Sequence, residues 1–207
     1  AGKGRQGKSW SEAPVGQAMY LSVLFHSMKI SDMGLLPLLC GLATARSLGA
    51  AARIKWPNDV LIHGKKICGI LTEAVTDFES GSLQYAVMGL GINISRPKGG
   101  FPSEISDIAS SLYSEEAAGN ELKCALAAEI LNNFFDICEH MSIDKLTEEY
   151  KSYSVVLGKR IKVISSNAEY YAVAVDIDKN ARLIVRDENG NMHTLSSAEV
   201  SVREGQI

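Results

Sequence analysis

From Ala18 to Phe25 the chain reads AMYLSVLF, a continuous apolar run bounded by Gly16 and by His26–Ser27. It predicts a buried strand. LLPLLCGLATARSLG comes next, apolar nearly all round and rich in helix formers, and predicts a core helix ending at Gly49, a C-cap glycine. ARIKWPNDVLIHGKKICGILTEAV reads as strand, turn, strand, turn, strand, broken at Pro57–Asn58 and at the hairpin tip His63–Gly64. LQYAVMGLGINIS is a further strand that runs into a glycine-spaced turn. Residues 95–120, rich in Pro, Gly and Ser, predict an irregular loop with one short helical piece.

Over residues 121–150 the period changes, and Leu122, Leu126, Ile130, Phe134 and Ile137 fall on one helical stripe. After Tyr153 it changes again. KRIKVISS, EYYAVAVDID, ARLIVRD and MHTLSSAEVSVR are short alternating segments joined by DKN and ENGN, which is turn chemistry. Short strands packed so closely predict a small barrel or sandwich. The expected organisation is an α+β domain over 1–155 and a small all-β domain over 156–207, with Leu157–Gly158 at the junction.

Composition narrows this. The 207 residues are 46% hydrophobic and 22% charged, with a net charge of −3, ordinary values for a globular protein. That balance argues against nucleic acid or a membrane surface as a partner of the whole molecule, so any basic site must be local. Cys40, Cys68, Cys124 and Cys138 lie in apolar runs without a CxxC pair, and read as buried thiols of a reducing compartment with no structural metal. No apolar run has the roughly 18 residues that a membrane span needs, and the N-terminus lacks the apolar core of a signal peptide. A cytoplasmic location is expected. His26, His63, His140 and His193 are spread so that no cluster with cysteines or carboxylates is expected. Lys145–Lys151, mixed with glutamates, reads as a solvated helix face.

Local chemistry enters at the start of the chain. AGKGRQGKSW combines three glycines with Lys3, Arg5 and Lys8 and contains no acid. So flexible a segment loses much entropy on ordering. Folding around an anion, with backbone N–H groups and cations facing it, gives it a purpose. Three further segments stand out: Lys55-Trp56-Pro57-Asn58-Asp59, Lys66-Ile67-Cys68-Gly69-Ile70-Leu71 and Gly89-Leu90-Gly91-Ile92-Asn93-Ile94. Taken singly, each has an ordinary structural reading: a turn, a strand break capped by Asn58 and Asp59, a close backbone approach.

Together, in this order and spacing, GxGRxGxxW, KWPND, KxxGIL and GLGIN resemble the biotin protein ligase family. The C-terminal VDID, ARLIV and AEVSVR segments are more loosely similar to that family's SH3-like domain. The resemblance implies a fold like that of biotin ligases and class II aminoacyl-tRNA synthetases: a mixed sheet flanked by helices, followed by a small SH3-like β-barrel. It implies ATP-dependent attachment of biotin to a lysine of a biotin carboxyl carrier protein through biotinyl-5′-AMP, with Mg²⁺. Lys66, Arg5 and Asp59 then take catalytic positions. Lys66 acts as a fixed cation at the carboxylate and α-phosphate, and Arg5 as a bidentate phosphate ligand. Asp59 serves as base for the incoming amine or as Mg²⁺ ligand, and the residues do not choose between these. Gly2, Lys3, Gly4, Gln6 and Gly7 belong to the binding loop. Trp10 and Asn93 meet the adenine, Asn58 orients the pocket, and Gly69, Gly89 and Gly91 give the ligand room.

Lys3 and Lys8 depart from the arginines usual in the family, keeping the charge but losing the forked geometry. The family has strands before the glycine loop, so the expectation is a fragment, or upstream residues not included, with an incomplete sheet and an exposed apolar face. No helix-turn-helix is visible, so repressor-type DNA binding is not expected from these residues. Dimerisation through a sheet edge is left open. Two alternatives stand beside this reading: a lipoate-type acyl-adenylating ligase on the same fold, and a non-catalytic biotin-binding relative.

Overall fold

The structure is a computed structural model, and it describes residues 17–26, 33–77, 79, 83–114, 119–165, 169–196 and 200–204. The first sheet holds β1 (Ala18–His26), β2 (Ala52–Lys55), β3 (Asp59–Ile62), β4 (Lys65–Thr76) and β5 (Leu83–Asn93), in the order β1-β5-β4-β3-β2. All its strand pairings are antiparallel. The mixed sheet expected from the resemblance is therefore corrected among the described residues. Consecutive strands β2 to β5 follow one another in space, as short connections require. Where His63 and Gly64 form the β3–β4 tip, both have positive φ, 50° and 75°, as a tight hairpin demands.

Directly paired residues share a face, and neighbours along a strand alternate. One face carries Met19, Ile92, Cys68 and Val60, all buried. The helices α1 (Leu36–Leu48), α2 (Asn120–His140) and α3 (Ile143–Tyr153) cover it. Helix α1 lies against β2, β3 and β4 beneath α2 and α3, which is why it is apolar nearly all round. It ends, as expected, at Gly49 with φ 85°. Phe134 of α2 meets Phe25 of β1 with ring centroids 5.6 Å apart.

Three expectations change here. The run Ala18–Phe25 is not a buried strand: β1 stands at the sheet's edge, helix-covered on one face only, and leaves Tyr20 and Leu24 exposed. The single helix expected over 121–150 is two helices. Met141 is extended, and the Ser142 hydroxyl accepts from the Lys145 amide at 3.4 Å to start α3, an N-cap that competes with helix continuation. At its start Leu122 is exposed; Ile130, Phe134 and Ile137 carry the buried stripe. The supposed solvated face of α3 is also engaged. Glu149 takes two hydrogen bonds from Arg46, at 2.7 and 2.6 Å, and this raises the guanidinium's pKa. Lys151 pairs with Asp176 at 2.5 Å.

The second sheet is antiparallel in the order β10-β6-β7-β8-β9, with β6 (Arg160–Ser165), β7 (Glu169–Ile177), β8 (Leu183–Asp187), β9 (Met192–Leu195) and β10 (Val200–Glu204). Its apolar side joins the same buried cluster as the first sheet. Two of its turns are built alike. In DKNAR the Asp178 carboxylate accepts from the Asn180 and Arg182 amides, both at 2.9 Å. In DENGN the Asp187 carboxylate accepts from the Asn189 and Asn191 amides at 2.9 and 2.8 Å. His193 also reaches Asp187, at 2.8 Å, and His140 reaches Asp136 at 3.2 Å. Each is a single pair of one histidine with one carboxylate. Cys40 and Cys68 are buried, but Cys124 and Cys138 lie exposed on α2.

Candidate active site on the open face of the first sheet

The face turned away from the helices carries the chemistry. Pairing across four strands lines up Tyr20, Gly91, Gly69 and Asp59 in one row, with Ser22, Gly89 and Leu71 in the next. Strand β5 does not turn at its glycines, as expected from the sequence, but runs through them to Asn93. The glycines thus form a strip of bare backbone, about 14 Å across from β1 to β3 at ordinary strand spacing. Among the described residues packing does not demand glycine at 89: a Cβ there would meet nothing of theirs closer than the Leu71 carbonyl oxygen at 3.6 Å. What the glycine supplies is room above the sheet. Tyr20, 54% exposed, stands at the strip's outer edge. Sequence reasoning missed it, although counting alternate residues back from Phe25 would have put it on the open face.

Lys66 reaches this face through an irregularity. Val60 pairs with Cys68, but Leu61 pairs with Lys66, so Ile67 is an extra residue on β4. In unbroken alternation Lys66 would share the phase of Cys68 and point into the core. The bulge lets Ile67 and Cys68 both be buried and turns Lys66 to the side of Asp59. The ammonium Nζ lies 2.6 Å from Asp59 Oδ1. Both side chains are partly buried, so the pair is screened less than a surface pair.

The surroundings hold the pair in place. The Lys66 amide donates to the Ile108 carbonyl at 2.7 Å, and the Lys66 carbonyl accepts from Ser110 N–H at 2.9 Å. Asn93, largely buried, donates its side-chain amide to the Ser110 carbonyl at 2.9 Å, fastening the same loop. Asn58 donates to the Ile70 carbonyl at 3.0 Å and accepts from the Ile70 amide at 2.8 Å, which fixes the corner leading into Asp59. Beneath the site, burial pushes the Cys68 thiol and the Tyr150 phenol well up; Asp59 adds to both shifts. Both side chains stay neutral at physiological pH and serve as packing.

Lys66, Asp59, Asn58, Gly69, Gly89, Gly91 and Asn93 are therefore brought together. Gly2, Lys3, Gly4, Arg5, Gln6, Gly7 and Trp10 lie outside the described residues. Among the described residues no three His, Cys, Asp or Glu side chains converge as a metal cage. The arrangement offers one fixed cation, one carboxylate and a bare backbone floor, a set suited to a planar or phosphorylated ligand lying across the strands.

Residues 1–93 match the biotin/lipoate A/B protein ligase family, and residues 156–203 match the biotin protein ligase C-terminal domain. The chain belongs to the biotin protein ligase family. It is 28% identical over 214 residues to the bifunctional ligase/repressor BirA of Bacillus subtilis, covering 98% of this chain and 63% of that protein. To the biotin–[acetyl-CoA-carboxylase] ligase of Mycobacterium tuberculosis it is 28% identical over 97% of this chain and 74% of that one. Among solved structures, the Aquifex aeolicus biotin protein ligase in complex with biotin and ATP superposes with a TM-score of 0.77 at 24% identity, covering 98% of this chain and 84% of that one. The Leishmania major biotin protein ligase in complex with biotinyl-5-AMP gives 0.56 at 26% identity, over 95% and 85% of the two chains. The chain spans about 63% of the length of the BirA relatives that it matches. No helix among its described residues is long and apolar enough to cross a membrane.

Proposed function

We propose that this chain joins biotin to a lysine of a biotin carboxyl carrier protein at the expense of ATP, with biotinyl-5′-AMP as intermediate. The observation that carries the reading is the Asp59–Lys66 pair, 2.6 Å apart beside the glycine strip, in a family whose named members are biotin ligases. In the first step a biotin carboxylate oxygen attacks the α-phosphorus of ATP and the bond to pyrophosphate breaks. Two anions meet there, so a fixed cation at the point of contact lowers the barrier most. Lys66 is that cation, and Arg5 of the glycine loop is the second.

In the second step the carrier lysine's amine attacks the acyl carbon, AMP leaves with the shared oxygen, and the amine loses a proton. Asp59 takes that proton or, with phosphate oxygens, holds Mg²⁺. Bound Mg²⁺ would neutralise phosphate charge. The strip of Gly69, Gly89 and Gly91 receives the adenylate, Asn58 and Asn93 line it, and Gly2, Lys3, Gly4, Gln6, Gly7 and Trp10 complete the binding set. The same reading divides the chain at residues 155 and 156, closes the second sheet into an SH3-like barrel, and puts the protein in the cytoplasm. It leaves homodimerisation to a sheet edge.

Biotin-dependent pyrophosphate release from MgATP, with mass detection of biotinyl-AMP and lipoate as the control acid, tests the reading. Lys66→Met should lower adenylate formation by about 10²–10³-fold while biotin affinity changes only several-fold. Lipoate in place of biotin would move the assignment to the lipoate branch. An unchanged rate in the variant would remove Lys66 from catalysis.

A further inference from the structure

The Trp56 side chain precedes the catalytic corner, is buried to 1% exposure, and is not used by the mechanism above. Its indole Nε1–H donates to the Ala181 carbonyl at 2.9 Å, across 125 residues of sequence. Ala181 belongs to the DKNAR turn between β7 and β8, and so ties the second sheet to the first. The turn is held rigid from within. Asp178 accepts from the Asn180 and Arg182 amides and pairs with the Arg182 guanidinium at 2.7 Å, and the Ala181 amide donates to the Asp178 carbonyl at 2.9 Å. The same turn closes over Gly34, where a Cβ would stand 3.5 Å from the Asn180 carbonyl oxygen. Ala181 is 6% exposed and has φ 66°, a conformation that favours glycine. Its methyl belongs to the buried cluster that the two sheets share.

From Trp56 the chain runs directly into Asn58 and Asp59. Asn58 is tied to Ile70 in both directions, and Asp59 pairs with Gly69 and Lys66. A shift of Trp56 therefore reaches the ion pair through two residues of main chain. We infer that the Asp178–Arg182 turn is a latch through which the second sheet positions Asp59 and Lys66, with Trp56 and Asp178 as positioning residues. As a statement about turnover the inference rests on the ligase reading; as a statement about the contact it does not.

The DENGN turn is the internal control, since it has the same Asp-centred construction without a tryptophan donor. Asp178→Ala and Asp187→Ala should lower the melting temperature by similar amounts. Asp178→Ala alone should lower kcat for adenylate formation tenfold or more with KM for biotin within threefold, whereas Asp187→Ala should change kcat less than twofold. Asp178→Asn, which keeps an oxygen acceptor for the amides, should recover most of the rate. The structural readout is hydrogen exchange of the Trp56 indole N–H, assigned by Trp56→Phe: slow in the parent and in Asp187→Ala, fast in Asp178→Ala. Equal kinetic losses in the two alanine variants would overturn the latch, as would fast indole exchange with an unchanged rate. Should neither biotin nor lipoate turn over, the ligase reading fails by itself. The latch is then judged on exchange: selective loss of protection in Asp178→Ala supports it, and retained protection overturns it.

Discussion

The turns DKNAR and DENGN differ at the fourth position, where one has Ala181 at φ 66° and the other Gly190 at φ 88°. Both close in the same way, with the amides of the third and fifth residues donating to the carboxylate of the aspartate at the first. In the exposed turn the left-handed position holds the residue that takes it without strain. In the docked turn it holds an alanine, which costs about 1 kcal/mol in that conformation. Strain is retained where a contact overdetermines the backbone, and here the contact is Trp56 Nε1–H on the strained residue's own carbonyl. Two turns of one construction thus serve as scaffold in one place and as interface in the other, and the departure from the glycine rule marks which is which.

The sharpest way to break the comparison is at the contact. Trp56→Ala should destabilise the protein by about 3–5 kcal/mol, as removal of a buried large aromatic does. Arg160→Ala, which cuts the exposed pair of Arg160 with Glu188 beside the other turn, should cost less than about 1 kcal/mol. Chemical denaturation of both variants measures the gap. Next in size is the glycine position itself. Gly190→Ala adds a methyl into open space at positive φ and should cost about 1 kcal/mol. Ala181→Gly relieves strain but gives up a buried methyl, so its change should be smaller than about 1 kcal/mol. A larger loss for Ala181→Gly than for Gly190→Ala would mean that the alanine is kept for packing alone.

Acid gives the smallest and most local effect. His193 donates to Asp187, and with the turn amides holds its carboxyl down at about 2, below an ordinary value of about 3.9. A carboxylate depressed in the folded state contributes stability that is full above the unfolded value and is lost as pH falls through the folded one. The Asn189 and Asn191 amides should therefore keep their native chemical shifts to about pH 4 and change between there and about 2. Asp178 is also lowered, against its burial, by Arg182 and the turn amides. Its turn should lose the same support as pH falls through the lowered value.

Much of this was legible in the residues because it depends on local rules. The hairpin at His63–Gly64, the Gly49 cap and the short strands of the second sheet follow from alternation and turn chemistry, while the KWPND–KxxGIL set stands out by its resemblance to a family. What was not legible depends on partners distant in sequence. An apolar run reads the same in a central strand and at an edge, so the run that forms β1 predicts a buried strand. Helical period continues across Met141, and only the Ser142 cap ends it. No local signal tells that Glu149 meets Arg46, 103 residues away. The Trp56–Ala181 contact, across 125 residues, was missed for the same reason. For the site, the residue types on the sheet were visible in advance, but the faces that they take were not. The loop residues 2–7 and Trp10 lie outside what the structure describes.

The extra residue Ile67 makes the site a matter of counting as well as of chemistry. Because a strand's sides alternate strictly, whether a cation sits in solvent or in the core depends on whether the number of residues between two pairings is odd or even. No point substitution changes that number. A chain that kept Ile67 in an unbroken ladder would hold every residue named in the motif and yet bury its lysine, so the spacing from Lys66 to Gly69 works only together with the bulge that absorbs Ile67.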